Sequence, residues 1–122
     1  MSGPTCLVVD DSRIIRRVAR RILTEMEFEA TEACDGVEAL DVVGEAEPDV
    51  VLLDWNMPKM DGMQFLKSLR QRGGRQPLVI FCTCNNKLEH IRDALDAGAD
   101  DYIMKPFDRE ILASKFEQAG LC

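Results

Sequence analysis

Four short apolar runs, each halted by a polar residue and followed by an amphipathic stretch, restrict the folds open to this chain. Cys6-Leu7-Val8-Val9 ends at Asp10-Asp11, and Val50-Val51-Leu52-Leu53 ends at Asp54. Leu78 through Cys82 leads to Thr83, and Tyr102-Ile103-Met104 stops at Lys105-Pro106. Runs this short and this rich in β-branched residues suit strands covered on both faces. Phe28 to Glu32 alternates instead, which predicts a strand at the edge of the sheet.

Five helices are predicted around these runs. After Asp11, Ile14, Val18, Ile22 and Met26 share one face with Ile15, Ala19 and Leu23, while Arg13, Arg16, Arg17, Arg20 and Arg21 mark the other. Asp35 with Glu38, and Asp61 with Gln64, have the spacing of a capping box. Leu88, Ile91 and Leu95 define a fourth helix, which Gly98 can end in the left-handed conformation. Asp108 can cap a fifth, expected to bury Ile111, Leu112 and Phe116 and to stop near Gly120. Gly73-Gly74 before Pro77 suits a return loop. A strand–helix unit repeated five times implies a parallel sheet with helices on both faces.

Composition agrees and excludes other classes. The 122 residues are 46% hydrophobic and 30% charged, as expected of one compact soluble domain. No apolar run approaches the ~18 residues that span a bilayer, and Met1-Ser2-Gly3-Pro4 carries no secretory signal. A net charge of −7 argues against general affinity for DNA or anionic lipid. Cys6, Cys34, Cys82, Cys84 and Cys122 form no disulfide framework, so a cytoplasmic location with reduced thiols is expected.

In open α/β folds, ligands bind beyond the carboxyl ends of the strands, where the strand order reverses. That rule gathers Asp10, Asp11, Asp54, Thr83 and Lys105 on one rim. Carboxylates crowded there repel one another, and a hard divalent cation relieves the repulsion. Mg²⁺ favours one or two carboxylates, several waters and a phosphoryl oxygen. Lys105 brings a compact positive charge, and Thr83 a hydroxyl able to donate to an incoming phosphoryl oxygen. An aspartate held in this way can act as a nucleophile and form an acyl phosphate. Asp54 is the candidate, because it stands alone at the end of the central strand with Asp10-Asp11 beside it.

These motifs resemble the receiver domain of two-component response regulators. The resemblance rests on Asp10-Asp11, Asp54-Trp55-Asn56-Met57-Pro58 with Asp61-Gly62, Thr83, and the stretch from Gly98 to Phe107, and it covers residues 5–120. It implies a flavodoxin-like (βα)5 sheet in the order 2-1-3-4-5. The Asp54-to-Gly62 stretch looks like the CheY-like single-domain type, so residues 1–122 are expected to be one receiver domain without an output domain. By the same resemblance, Asp54 accepts a phosphoryl group from a histidine kinase or phosphotransfer protein. Mg²⁺ is held by Asp11, Asp54 and the carbonyl of Asn56, with Asp10 acting mainly through water. Thr83 and Tyr102 form a switch pair, Lys105 binds a phosphoryl oxygen, and the Lys105-Pro106 bond is cis. Cys84 stands where the family carries a smaller residue, and Asn56 and Asn85 occupy positions that tune the phosphoryl lifetime.

The resemblance further implies a target protein met through the fourth helix, fifth strand and fifth helix, in chemotaxis or other two-component signalling. Expected partners include no DNA and no membrane, and the chain is expected to be a monomer or weak dimer. It would catalyse its own phosphorylation and dephosphorylation without being an enzyme on an external substrate. Two readings compete: a phosphorylation-independent interaction module, and a phosphate sink or shuttle in a relay. A module with a vestigial site would lack a carboxylate, the threonine or the lysine, and none is missing. An aspartate-based phosphatase wants a second acid two residues beyond its nucleophile, where Asn56 sits, and a dinucleotide enzyme wants a glycine-rich loop in place of Asp10-Asp11-Ser12-Arg13. Singly, Asp10-Asp11 is a helix cap, Lys105-Pro106 a turn, and the arginines a solvated helix face. Cys82, Cys84 and His90 lack the fourth ligand of a zinc site, His90 is expected on the surface of the fourth helix, and Met57, Met60 and Met63 are expected to pack the loop after the third strand.

Overall fold

The structure is a computed structural model, and it describes residues 4–55, 57, 59–83 and 88–121. Strands β1 (Thr5–Val9), β2 (Glu29–Ala33), β3 (Val50–Asp54), β4 (Leu78–Thr83) and β5 (Asp101–Met104) form one sheet in the order β2-β1-β3-β4-β5. All neighbouring pairs are parallel. Helices α1 (Arg13–Glu25), α2 (Gly36–Ala46), α3 (Gly62–Arg72), α4 (Leu88–Asp96) and α5 (Arg109–Gln118) connect and close the sheet. The flavodoxin-like architecture read from the sequence is therefore the one observed. β2 lies at an edge, displaced by one residue from its predicted span, and Phe28 just ahead of it is buried.

The period-2 geometry of the strands divides the core into two layers. Leu7, Val9, Val51, Leu53, Val79 and Phe81 face one side with Phe65, Leu66 and Leu69 of α3. Cys6, Val8, Val50, Leu52, Ile80 and Cys82 face the other, against Leu23 of α1 and Leu112 and Phe116 of α5. Met57, Met60 and Met63 pack on the first layer, as expected. Among the described residues no helix is long and apolar enough to cross a membrane.

Capping follows the sequence in part. Asp61 and Gln64 make the reciprocal capping box at α3. Asp35 caps α2 by accepting from the Glu38 amide, without a return bond from Glu38. Gly98 ends the α4 turn at φ +111°, a conformation open to glycine at little cost.

Three helix faces differ from the expected ones. On α1, Ile14 is 73% and Val18 47% exposed, and the buried line runs through Ala19, Ile22 and Leu23. On α4, Leu88 and Leu95 are exposed while Ala94 meets the sheet. On α5, Ile111 is exposed, and Leu112 and Phe116 are buried. A helix laid on a sheet buries only a stripe, so apolar residues beyond that arc remain in solvent.

Candidate functional site

The site forms where three neighbouring strands end. Register pairs Val9 with Leu53 and Asp54 with Cys82, which brings the residue after β1 beside Asp54. Asp10 is 4% exposed, Asp54 half-buried and Asp11 exposed. One oxygen from each of these three carboxylates lies within 4.8 Å of the others, the only cluster of possible metal ligands among the described residues. Turn chemistry fixes part of the arrangement: Asp10 Oδ1 accepts the Ser12 amide at 2.9 Å, and the Ser12 side chain caps α1 by accepting the Ile15 amide.

Lys105 spans the cleft from the end of β5. Its Nζ donates to Asp10 Oδ2 at 2.6 Å and to Asp54 Oδ1 at 3.0 Å. Its backbone N–H donates to the Thr83 carbonyl, tying the β5 end to β4, and the Lys105-Pro106 peptide bond is cis. Burial disfavours the ammonium, but hydrogen bonds to Asp10 and Asp54 outweigh it and hold the Lys105 pKa above the usual lysine value. Burial likewise pushes the Asp54 carboxyl up; the bond from Lys105 opposes this and the charge of Asp10 adds to it. A single ammonium serves a group of three carboxylates, which leaves about two negative charges uncompensated. That excess charge matches a divalent cation, and an all-oxygen donor set suits Mg²⁺.

The two oxygens of Asp10 are occupied, and its side chain is more buried than that of Asp54. Asp54 is thus the more accessible of the two carboxylates that share the lysine. Gly62 allows this placement, because a Cβ there would come within 2.4 Å of the Asp54 carbonyl oxygen and 2.7 Å of the Phe81 ring. Thr83 is 6% exposed at the end of β4. Tyr102 pairs in register with Phe81, two residues before Thr83, so the tyrosine and threonine lie on the same face of the sheet. The Tyr102 ring is partly buried, and Lys115 Nζ sits 4.6 Å from its centroid.

Asp10, Asp11, Asp54, Thr83 and Lys105 are thus all found at one rim, with Tyr102 on the adjoining strand. Asn56, Pro58, Cys84 and Asn85 lie outside the described residues. Cys82 faces the opposite layer from Trp55, and burial pushes its thiol up to about 12. His90 lies on α4, partly exposed, and stacks on Trp55 at 5.1 Å, which also makes it a neighbour of the site. Sequence reasoning also missed Arg16. Its Nε pairs with Glu32 at 3.0 Å and its NH1 donates to the Asp10 carbonyl at 2.7 Å, fastening α1 and β2 to the acidic cluster. An acid on the neighbouring edge strand was the only available signal.

Comparison with known proteins agrees with this geometry. Residues 6–117 match the family described as the response regulator receiver domain. Response regulator MprA of Mycobacterium sp. (strain KMS) is 41% identical over 109 residues, covering 89% of this chain and 47% of that protein. The Mycobacterium avium (strain 104) protein of the same name is 40% identical over the same length and coverage. The chain therefore spans about half the length of the curated relatives it matches. Among solved structures, Vibrio cholerae chemotaxis protein CheY4 superposes with a TM-score of 0.89 at 31% identity, covering 96% of this chain and 98% of that one. The Francisella response regulator 1452 receiver domain gives 0.87 at 33% identity, covering 95% of each chain.

Proposed function

Given that this chain belongs to the response regulator receiver-domain family of two-component signalling, we propose that it is a Mg²⁺-dependent switch phosphorylated on Asp54. The observation that carries this reading is the shared lysine: Lys105 contacts Asp10 and Asp54 together, in a cluster that still lacks about two positive charges. Asp11 and Asp54 would hold Mg²⁺, with Asp10, whose two oxygens are engaged, acting mainly through water; when bound, the ion neutralises charge on the carboxylates and on the incoming phosphoryl group.

The chain's own groups do the rest. An Asp54 oxygen attacks phosphorus of a phosphohistidine on a histidine kinase or phosphotransfer protein. A P–O bond forms, the P–N bond breaks, and the imidazole leaves with the electron pair. Lys105 pairs with the transferred group's negative oxygens, and the Thr83 hydroxyl donates to one of them. Hydrolysis reverses the attachment: water attacks phosphorus and the Asp54 carboxylate departs. The protein promotes both steps on itself and has no external substrate.

The modified state then favours a different surface across α4, β5 and α5, with Tyr102 following Thr83 inward. Exposed Leu88 and Leu95 on α4 and Ile111 on α5 support a protein target there. We place the chain in the cytoplasm, acting as a receiver domain and as a monomer or weak dimer, in chemotaxis or another two-component pathway. Incubation with Mg²⁺ and a small acyl phosphate, read by intact mass, should add one phosphoryl group that Asp54→Asn abolishes. An unmodified mass with several donors, or unchanged labelling of Asp54→Asn, would overturn the proposal.

A further inference from the structure

Five of the chain's arginines fall within residues 13–21, and α1 holds a single acid, Glu25. This is unexpected in a chain of net charge −7. It also runs against the needs of the helix. The first turn carries no acid and the last no base, so the charges oppose the helix macrodipole. Arg13, Arg17 and Arg21 further repel one another at four-residue spacing, as do Arg16 and Arg20. A helix charged against its own stability is better explained by something it binds than by solvation.

The arginines line a groove. Arg13, Arg16, Arg17, Arg20, Arg21 and Thr24 border a concavity of about 470 Å³, with Glu32 of β2 on its wall. Glu32 accepts from Arg16 and Arg20, each at 3.0 Å, and holds those two guanidinium groups in place. Their mutual attraction lowers the Glu32 pKa, although burial works against it. Glu25 turns to Arg109 of α5 instead. Among the described residues, Arg13, Arg17 and Arg21 enter no ion pair. They follow one another at about 6 Å along the helix axis.

We propose that this groove binds a small phosphate-bearing anion of the nucleotide class. Every cation on α1 is arginine and none is lysine. The planar guanidinium fork grips a phosphate through two parallel hydrogen bonds, and its face stacks on an aromatic base. Successive arginine turns offer separate places for two phosphates, and the Glu32-fixed pair reduces the ordering cost of binding. A concave site of this size suits a nucleotide better than a flat protein surface, and the chain's acidity disfavours a long polyanion. The inference does not depend on phosphorylation of Asp54.

The test is isothermal titration of the full chain in magnesium-free, low-salt buffer. The probe is adenosine 3′,5′-bisphosphate, compared with inorganic phosphate and with a single-stranded oligothymidylate. The expected result is saturable one-to-one binding of the bisphosphate, about tenfold or more tighter than inorganic phosphate. The double substitution Arg17→Gln, Arg21→Gln should weaken it by about tenfold or more. Since those substitutions remove like-charge repulsion, the variant should melt no lower than the parent and still accept a phosphoryl group at Asp54. No saturable binding, equal affinity in the variant, or binding confined to the oligonucleotide would overturn the proposal.

Discussion

Replacing Lys105 by methionine keeps the length and apolar stem of the side chain but removes the charge shared by Asp10 and Asp54. Two ion pairs vanish, at 2.6 and 3.0 Å, both to carboxylates whose side chains are only 5% and 14% exposed. Breaking a buried ion pair by deleting one partner costs ~3–5 kcal/mol. Water can enter from the open rim, so the lower end applies, about 3 kcal/mol in Mg²⁺-free buffer. The scale agrees with Coulomb's law, since two like charges within 4.8 Å of each other repel by about 3.5 kcal/mol or more at an effective dielectric constant near 20. With a urea slope of ~2 kcal/mol/M, the unfolding midpoint should fall by roughly 1.5 M.

The signature distinguishes charge loss from mere damage. The Asp54 carboxyl, already pushed up by burial and now without its lysine, holds its proton more tightly when folded than when unfolded, so the deficit should be small in acid and grow as pH rises through its raised pKa. Mg²⁺ should restore more stability to the variant than to the parent. Adding Asp54→Asn to Lys105→Met should recover part of the loss, a coupling that a double-mutant cycle measures. A midpoint change below about 0.5 M, or a deficit independent of pH and Mg²⁺, would refute the reasoning.

Gly62→Ala should destabilise the fold by ~1–3 kcal/mol and slow phosphorylation from a small donor, because the new Cβ displaces the Asp54 backbone; urea melts and intact-mass time courses measure the two effects. Asp49 lies below its ordinary value of 3.8, held there first by the Thr5 amide and then by the Thr5 hydroxyl and Arg75, against burial. A depressed carboxyl stabilises the fold above its unfolded pKa and loses that contribution as pH falls through its folded value. Asp49→Asn should therefore flatten the acid limb of the stability–pH curve below about pH 4, as read by thermal melts.

Fold and site were legible in the sequence for the same reason. Parallel strands covered on both faces must be short, continuous and apolar, and the polar residue that stops each one marks the rim where ligands meet. Asp10, Asp54, Thr83 and Lys105 could therefore be placed together without any tertiary information. Helix faces were less legible. Ile14, Val18, Leu88, Leu95 and Ile111 satisfy a 3.6-residue period, yet the sheet takes only a stripe, and small residues such as Ala19 and Ala94 fill it. Contacts without periodicity left no trace at all. The stacking of His90 on Trp55 joins residues 35 positions apart on separate elements. The grip of Arg16 on the Asp10 carbonyl depends on a loop geometry that no spacing encodes.

The most direct test of the central claim is a Mg²⁺ titration followed by fluorescence of Trp55, the only tryptophan and the residue next to Asp54. Saturable one-to-one binding is predicted for the parent, with affinity reduced about tenfold or more in Asp11→Asn and Asp54→Asn. The absence of saturable Mg²⁺ binding, checked by calorimetry, or equal affinity in both variants, would contradict the account.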